Sequence, residues 1–381
     1  MINYDNIEFV AKTQFGLEEC LAEELKQIGA KNITPVNRAV TFTGNQEILY
    51  KANLWLRTAI NVLVPIRSFT IRDQEDLYRK VKNINWDNFF NVNNTFSIRS
   101  TVKSSLFNHT QYPALKSKDA IVDQFREKYG KRPSVELDMP DIKINIHITD
   151  RKCIVSLDSS GKTLNKRGYR QASVLAPINE VLAAGILKLI NWKSDQPLVD
   201  PMSGSGTFPI EAALLSKNIA PGLINPEFAF QNWKDFDKSL WSALILDAKE
   251  KKNSDVPNIT ANDIDSDTVF NTTKNIYKAG VGQHVDISNE DFFSMKIPEN
   301  SVIIINPPYD VRLQKEDISE LKIEFKEIRT DFNNMDKNLI EFKNEMAPII
   351  DFKKQVQAQI VRYSAIAFTA LLAMSIGLGQ V

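Results

Sequence analysis

Residues 198–213 read Leu-Val-Asp-Pro-Met-Ser-Gly-Ser-Gly-Thr-Phe-Pro-Ile-Glu-Ala-Ala. A short apolar run closes on Asp200, the glycines Gly204 and Gly206 turn the chain, and a helix is expected to open near Thr207. The same unit recurs downstream. A strand-like stretch at 258–261 precedes a helical pattern at 266–279, and an apolar run at 302–305 follows. An apolar helix at 178–190 precedes the set. Alternating β and α units of this size predict a doubly wound parallel sheet with ligands at the carboxyl ends of its strands.

Upstream of residue 164 the pattern changes. Residues 16–28 carry Leu17, Cys20, Leu21 and Leu25 at helical spacing, and a strand-like piece follows at 39–42. Residues 62–71, 95–102, 141–148 and 153–157 alternate apolar with polar side chains, with a helical pattern at 117–129 among them. The front half is therefore expected to be α+β. Polar, basic Lys166-Arg-Gly-Tyr-Arg170 marks the boundary with the α/β half.

The chain has 47 Lys+Arg and 47 Asp+Glu, yet the charge is unevenly spread. Residues 51–170 hold 22 basic against 12 acidic side chains, whereas residues 171–310 hold 11 against 18. A basic block suits a polyanion, because Lys and Arg displace counterions from phosphates whatever the base sequence; a solvated charged face would look the same. Two cysteines and three scattered histidines supply neither a disulfide framework nor a zinc cluster, and the first fifteen residues lack a secretory pattern, so a cytoplasmic setting is expected.

Four elements carry the chemistry. The loop with Gly204 and Gly206 lets backbone approach a ligand, and the helix N-terminus offers N–H groups to a carboxylate or phosphate. S-adenosylmethionine suits this geometry, with Asp200 near its ammonium. No lysine follows the loop as in a phosphate-cradling P-loop, which disfavours ATP. Asp263, after the second strand, is placed to accept from ribose hydroxyls. Asp291 is placed to accept from an adenine amine, with Phe292 against the ring. Last, Asn306-Pro307-Pro308-Tyr309 ends the apolar run at 303–305 in a stiff corner, since each proline fixes φ and removes a donor. The Asn306 side-chain oxygen and the Pro307 carbonyl are left as two acceptors for an exocyclic amine, and Tyr309 would stack on a flipped base.

With DPMSGSGTFPIEAA, the acids at 263 and 291 and NPPY in this order, the chain resembles the THUMP-domain class I RNA methyltransferases, nearest the bacterial enzymes that methylate guanine N2 in large-subunit ribosomal RNA. Residues 164–184, LNKRGYRQASVLAPINEVLAA, resemble that family's junction between RNA-binding and catalytic domains. The resemblance implies a ferredoxin-like unit at 1–50, a THUMP domain at 51–163 and a Rossmann-like methyltransferase domain at 164–313. It implies S-adenosylmethionine held by Asp200, Pro201, Ser203, Gly204, Gly206, Thr207, Asp263, Asp291 and Phe292, and a guanine of 23S ribosomal RNA held by Asn306, Pro307, Pro308 and Tyr309, with no metal.

Beyond about residue 313 the likeness fades, leaving the class I sheet incomplete. A truncated or fused, inactive enzyme is one expectation there. From Ile318 to Ile349 apolar residues follow at spacings of three and four, the seam of a coiled coil and of a homo-oligomer, with dimer and trimer both open. The coiled coil is expected over 314–360. Nineteen residues, 363–381, then carry no charge. As a helix they would span roughly 28 Å, which fits a bilayer core or a buried oligomer helix. The alternative function is a catalytically dead RNA-binding protein tethered through this coiled coil and membrane segment.

Overall fold

The computed structural model describes residues 2, 4–107, 109–171, 177–253 and 257–306. The coiled coil expected at 314–360 and the apolar run at 363–381 lie outside them. Among the described residues no helix is long and apolar enough to cross a membrane.

The front half comprises β1 (Ile7–Thr13), α1 (Glu18–Gln27), β2 (Lys31–Val36), β3 (Ala39–Gly44), α2 (Gln46–Trp55), β4 (Ala59–Thr70), α3 (Gln74–Lys82), β5 (Thr95–Lys103), α4 (Tyr112–Tyr129), β6 (Ser134–Val135), β7 (Ile142–Thr149) and β8 (Lys152–Asp158). Polar caps set several helix starts. Asn45 accepts from the Ile48 N–H at the head of α2, and Asp73 from the Asp76 N–H at the head of α3.

All eight strands form one sheet, in the order β2-β3-β1-β4-β8-β7-β5-β6. The stretches read in the sequence as 1–50 and 51–163 share this sheet, β1 running antiparallel to β4 with Ala11 opposite Val62, and β4 pairing in turn with β8, Val64 opposite Leu157. Alternation then decides the faces. Ile142, Ile144, Ile146 and Ile148 of β7 are buried together with Phe90 and Phe125, in the same core as Phe9, Phe42 and Val62. All four helices of the front half cover this one apolar face, and the polar alternates point the other way.

The back half contains α5 (Glu180–Leu189), β9 (Leu198–Asp200), α6 (Thr207–Ser216), α7 (Lys238–Glu250), β10 (Ile259–Asn262), α8 (Ser266–Lys278), β11 (Asp286–Ser288) and β12 (Val302–Ile303). Its four strands are all parallel, in the order β11-β10-β9-β12. β9 is flanked on opposite sides by the second and the last strand. Its carboxyl end is therefore the switch point at which doubly wound sheets bind ligands.

Two contacts weld the halves. The segment between α6 and β10 leaves its own sheet and packs on α2: Tyr50 stacks on Phe230 with centroids 4.3 Å apart, and Trp241 stands edge-on to Phe230 at 5.2 Å. Beside it lies a buried polar knot. Arg57 donates to the carbonyls of Leu214 (3.0 Å) and Ile219 (2.7 Å) at the end of α6. Arg167 pairs with Glu211 of α6 at 3.3 Å and also donates to the Arg57 carbonyl, and the Tyr169 hydroxyl donates to Glu211 at 3.2 Å. Glu24 of α1 accepts from the Arg57 and Thr58 N–H groups at 3.0 Å each and faces Lys188 of α5. Buried charges are tolerated only when paired and hydrogen-bonded, so this knot fixes one relative placement of front and back.

Candidate active site

The loop from Asp200 to Thr207 is held by residues that the sequence reading did not single out. Asn262, the buried last residue of β10, donates to the carbonyls of Pro201 (3.1 Å) and Glu290 (2.9 Å) and accepts from the Glu290 N–H (2.9 Å). One amide thus ties the ends of three neighbouring strands. From α8, Thr272 donates to the Gly204 carbonyl and Asn275 to the Ser205 carbonyl at 3.0 Å. The Ser203 N–H donates to the Asn262 carbonyl at 2.8 Å.

The two glycines have different reasons. Gly204 has φ +53°, and a Cβ placed there would meet nothing within 4 Å, so the loop presents open space at that point. Gly206 has φ +76°, and its Cβ would lie 2.8 Å from the Thr272 Cγ2. Its glycine is required by the packing of α6 against α8 as well as by the left-handed backbone. Of the two glycines expected to serve close approach to a ligand, Gly204 has open space where a Cβ would stand and Gly206 faces Thr272 there.

Asp200 is 2% exposed. One of its oxygens accepts from the Met202 N–H at 3.3 Å. Burial, together with the charge of Asp263, pushes its carboxyl up to about 8. A cation placed beside it would restore the ionised form. Asp263 receives the Gly204 N–H on one oxygen (3.0 Å) and the Asp265 N–H on the other (3.1 Å). Each oxygen keeps a second lone pair, enough for a diol.

At the head of α6, Gly206 provides no side-chain cap. Arg170 from the junction donates to the Thr207 hydroxyl at 3.0 Å and faces Glu180 at 3.3 Å. The Arg170 Nε–H, buried, has no partner among the described residues. Uncapped N–H groups and a spare guanidinium donor suit a carboxylate.

Asp291 and Phe292 follow β11, where the Asp291 carbonyl accepts from the Ser294 N–H at 2.9 Å and Phe292 opens a short 3-10 turn. Asn289 anchors this turn by donating to the carbonyls of Asp263 (2.7 Å) and Ile264 (2.9 Å). Asp200, Asp263 and Asp291 therefore stand at the carboxyl ends of three adjacent strands. Asn306 comes three residues after β12, which pairs Ile303 with Val199 of β9. Parallel neighbours about 4.8 Å apart bring Asn306 to the same end of the sheet as the glycine loop. Pro307, Pro308 and Tyr309 lie outside the described residues.

The chain matches three domain families: an RlmL ferredoxin-like domain over residues 8–63, a THUMP domain over 72–158 and an RMKL-like methyltransferase domain over 167–347. The last match runs on beyond residue 313. A Synechocystis protein named "Putative RNA methyltransferase slr0064" is 40% identical over 81% of both chains. The ribosomal RNA large subunit methyltransferase K/L of Buchnera aphidicola is 36% identical over 81% of this chain, which spans only 46% of that protein. Among solved structures, SMU.472 complexed with SAH has a TM-score of 0.73 at 32% identity, covering 83% of this chain and 84% of that one. A Listeria monocytogenes protein described as a predicted N6-adenine-specific DNA methylase has a TM-score of 0.76 at 30% identity, with 87% and 86% covered. From these matches and the sheet order, the chain belongs to the family of THUMP-domain methyltransferases with an RMKL-like catalytic domain.

Proposed function

We propose that this chain transfers a methyl group from S-adenosylmethionine to the exocyclic N2 of a guanine in large-subunit ribosomal RNA. The observation that carries the reading is the placement of the Asp200–Thr207 loop and Asn306 at the carboxyl ends of two adjacent parallel strands. Support comes from the K/L relatives, from the SAH complex of a 32% identical structure and from the THUMP match.

The cofactor fits the residues present. Gly204 leaves open space, Arg170 and the head of α6 supply donors for its carboxylate, Asp200 would hold its ammonium, and Asp263 its ribose hydroxyls, with Asp291 and Phe292 at the adenine. Bound there, it supplies an electrophilic methyl on a sulfonium, a good leaving group. The protein's share is alignment of the acceptor and a matching set of hydrogen-bond acceptors. Asn306 Oδ1 takes one hydrogen of the guanine amine and the Pro307 carbonyl the other, which turns the nitrogen lone pair out of conjugation and toward the cleft. Tyr309 stacks on the base, and the surplus amine proton leaves to water. A ribosomal RNA substrate places this work in the cytoplasm.

The test is transfer of tritiated methyl to unmodified 23S ribosomal RNA, with the product nucleoside identified by mass. Asn306→Ala is expected to lower the rate by about 100-fold or more, the usual effect of removing one preorganised hydrogen-bonding group, while calorimetry shows SAH binding unchanged. Label found on adenine N6 of DNA and not on RNA would replace this reading with the activity named for the Listeria structure.

A further inference from the structure

The basic surplus of the front half is not spread evenly over its two sides. On the helical side each of six cations has an acid within ion-pair distance: Lys82 pairs with Glu127, Lys116 with Glu75 and Lys128 with Asp87, and Asp76 is shared by Arg72, Arg79 and Lys80 within 3.6 Å. Surface pairs of this kind do little for stability, but they offset four of these six positive charges.

The polar face of the sheet is different. On this face Leu63, Asp158 and Lys143 stand opposite one another across β4, β8 and β7, while Lys12 of β1 lies opposite Asn61, two residues before Leu63, and Arg99 of β5 lies beside Asn145, two residues beyond Lys143. Asp158, the one acid in this row, already accepts from Asn61 (2.8 Å) and the Ser160 N–H (3.0 Å). No acid lies within ion-pair distance of Lys12, Arg99 or Lys143 among the described residues. Past β8 the chain stays close to this cluster: Lys143 donates to the Gly161 carbonyl at 2.8 Å, and Lys162 and Lys166 lie near enough to act on Lys143. Lys162 reaches the exposed carboxylate of Glu227 at 3.6 Å, a loose pair open to water. Burial lowers the Lys143 pKa, Asp158 opposes that shift, and Arg99, Lys166 and Lys162 add to it, so these cations crowd one another. Lys162 and Lys166 also line the cleft where the junction meets Asn225 of the back half. The Asn145 side-chain oxygen, in a residue 8% exposed, has no donor among the described residues.

We infer that the RNA backbone crosses the polar face of the eight-stranded sheet, held by Arg99, Lys143, Lys162 and Lys166, and passes along the junction toward the catalytic half. Mutually repelling cations gain most from phosphate, which relieves their repulsion and releases counterions. The diagonal from Lys12 on β1 to Arg99 on β5 crosses four strand spacings, about 19 Å sideways, and is long enough for several consecutive phosphates. The inference rests on the proposed RNA substrate and adds the surface that receives it.

The experiment follows binding of fluorescein-labelled oligouridylate to the full chain against salt concentration. Two triple variants are compared, R99Q/K162Q/K166Q on the sheet face and K82Q/K116Q/K128Q on the helical face. For a single strand, each phosphate that is no longer neutralised flattens the log–log salt slope by about 0.7, so the sheet-face variant is expected to drop about 2 in slope and about 50-fold in affinity at 0.15 M salt. The helical-face variant is expected to bind as wild type. SAH binding should stay intact in both, which separates loss of RNA docking from misfolding. A helical-face variant that loses slope while the sheet-face variant keeps it would overturn the inference and leave the proposed reaction standing. Failure of the wild-type chain to bind RNA at all, with SAH still bound, would remove both.

Discussion

Replacing Gly206 with alanine carries two costs, of which Gly204 shares only one. Both positions have positive φ, and an alanine in that region costs about 1–2 kcal/mol. Only at Gly206 does the new Cβ also run into a neighbour, the Thr272 Cγ2 at 2.8 Å. Forcing a methyl into a packed contact adds roughly 1–3 kcal/mol. Gly206→Ala is therefore expected to destabilise the chain by roughly 2–5 kcal/mol and Gly204→Ala by only about 1–2 kcal/mol, read as shifts in urea unfolding. Thr272→Ser removes the clashing methyl and keeps the hydroxyl that donates to the Gly204 carbonyl. In that background the cost of Gly206→Ala should fall to that of Gly204→Ala. Cofactor binding should rank the other way, because the Gly204 methyl would project into the space assigned to the ligand. An unchanged Gly206→Ala cost in the serine background, within about 0.5 kcal/mol, would refute the packing argument. Undiminished SAH affinity in Gly204→Ala would refute the cradle.

Asp200 makes the cofactor-free protein lose stability as pH rises from the ordinary carboxylate range to about 8. Its folded-state pKa is raised to about 8, so the native state binds more protons than the unfolded one between the ordinary carboxylate range and that value, and stability falls as pH rises through this window. Melting temperatures at pH 5 and pH 8 should differ more for wild type than for Asp200→Asn; equal slopes would mean that burial does not tune this carboxyl. At the weld between halves, Arg167→Met leaves Glu211 buried without its ion-pair partner and is expected to cost about 3–5 kcal/mol, most of it recovered in R167M/E211L. Additive costs in urea unfolding of the two single variants and the double would show the pair to be uncoupled.

The strand-loop-helix at 198–213 was legible because its signals are local: an apolar run, glycines at the turn, then helical spacing. The strands β5, β7 and β8 were legible because one face is buried and the alternation survives in the sequence. β2 was not, since it is an edge strand with five of its six residues exposed, so no apolar pattern marks it. α2 and α3 announce themselves mainly through caps at Asn45 and Asp73, which single polar residues do not distinguish from turns. At the site, acids at strand ends could be read from order and spacing. Asn262, Thr272 and Asn275 could not, because what they hold lies 28 to 70 residues away in sequence and only folding brings it near. Nor does periodicity say which core an apolar helix joins, and α7 joins the core of the other half.

That last arrangement has a consequence for how such a protein can be inherited. Phe228, Phe230, Trp233 and Trp241 are nearly inaccessible in the core they share with the front half, where Tyr50 of α2 packs on Phe230 and Trp241. A gene fragment beginning at the junction would encode a polypeptide with a greasy aromatic shelf facing water, prone to clump before it met any substrate. Grafting the back half onto an unrelated carrier would need a new cover for these aromatic rings.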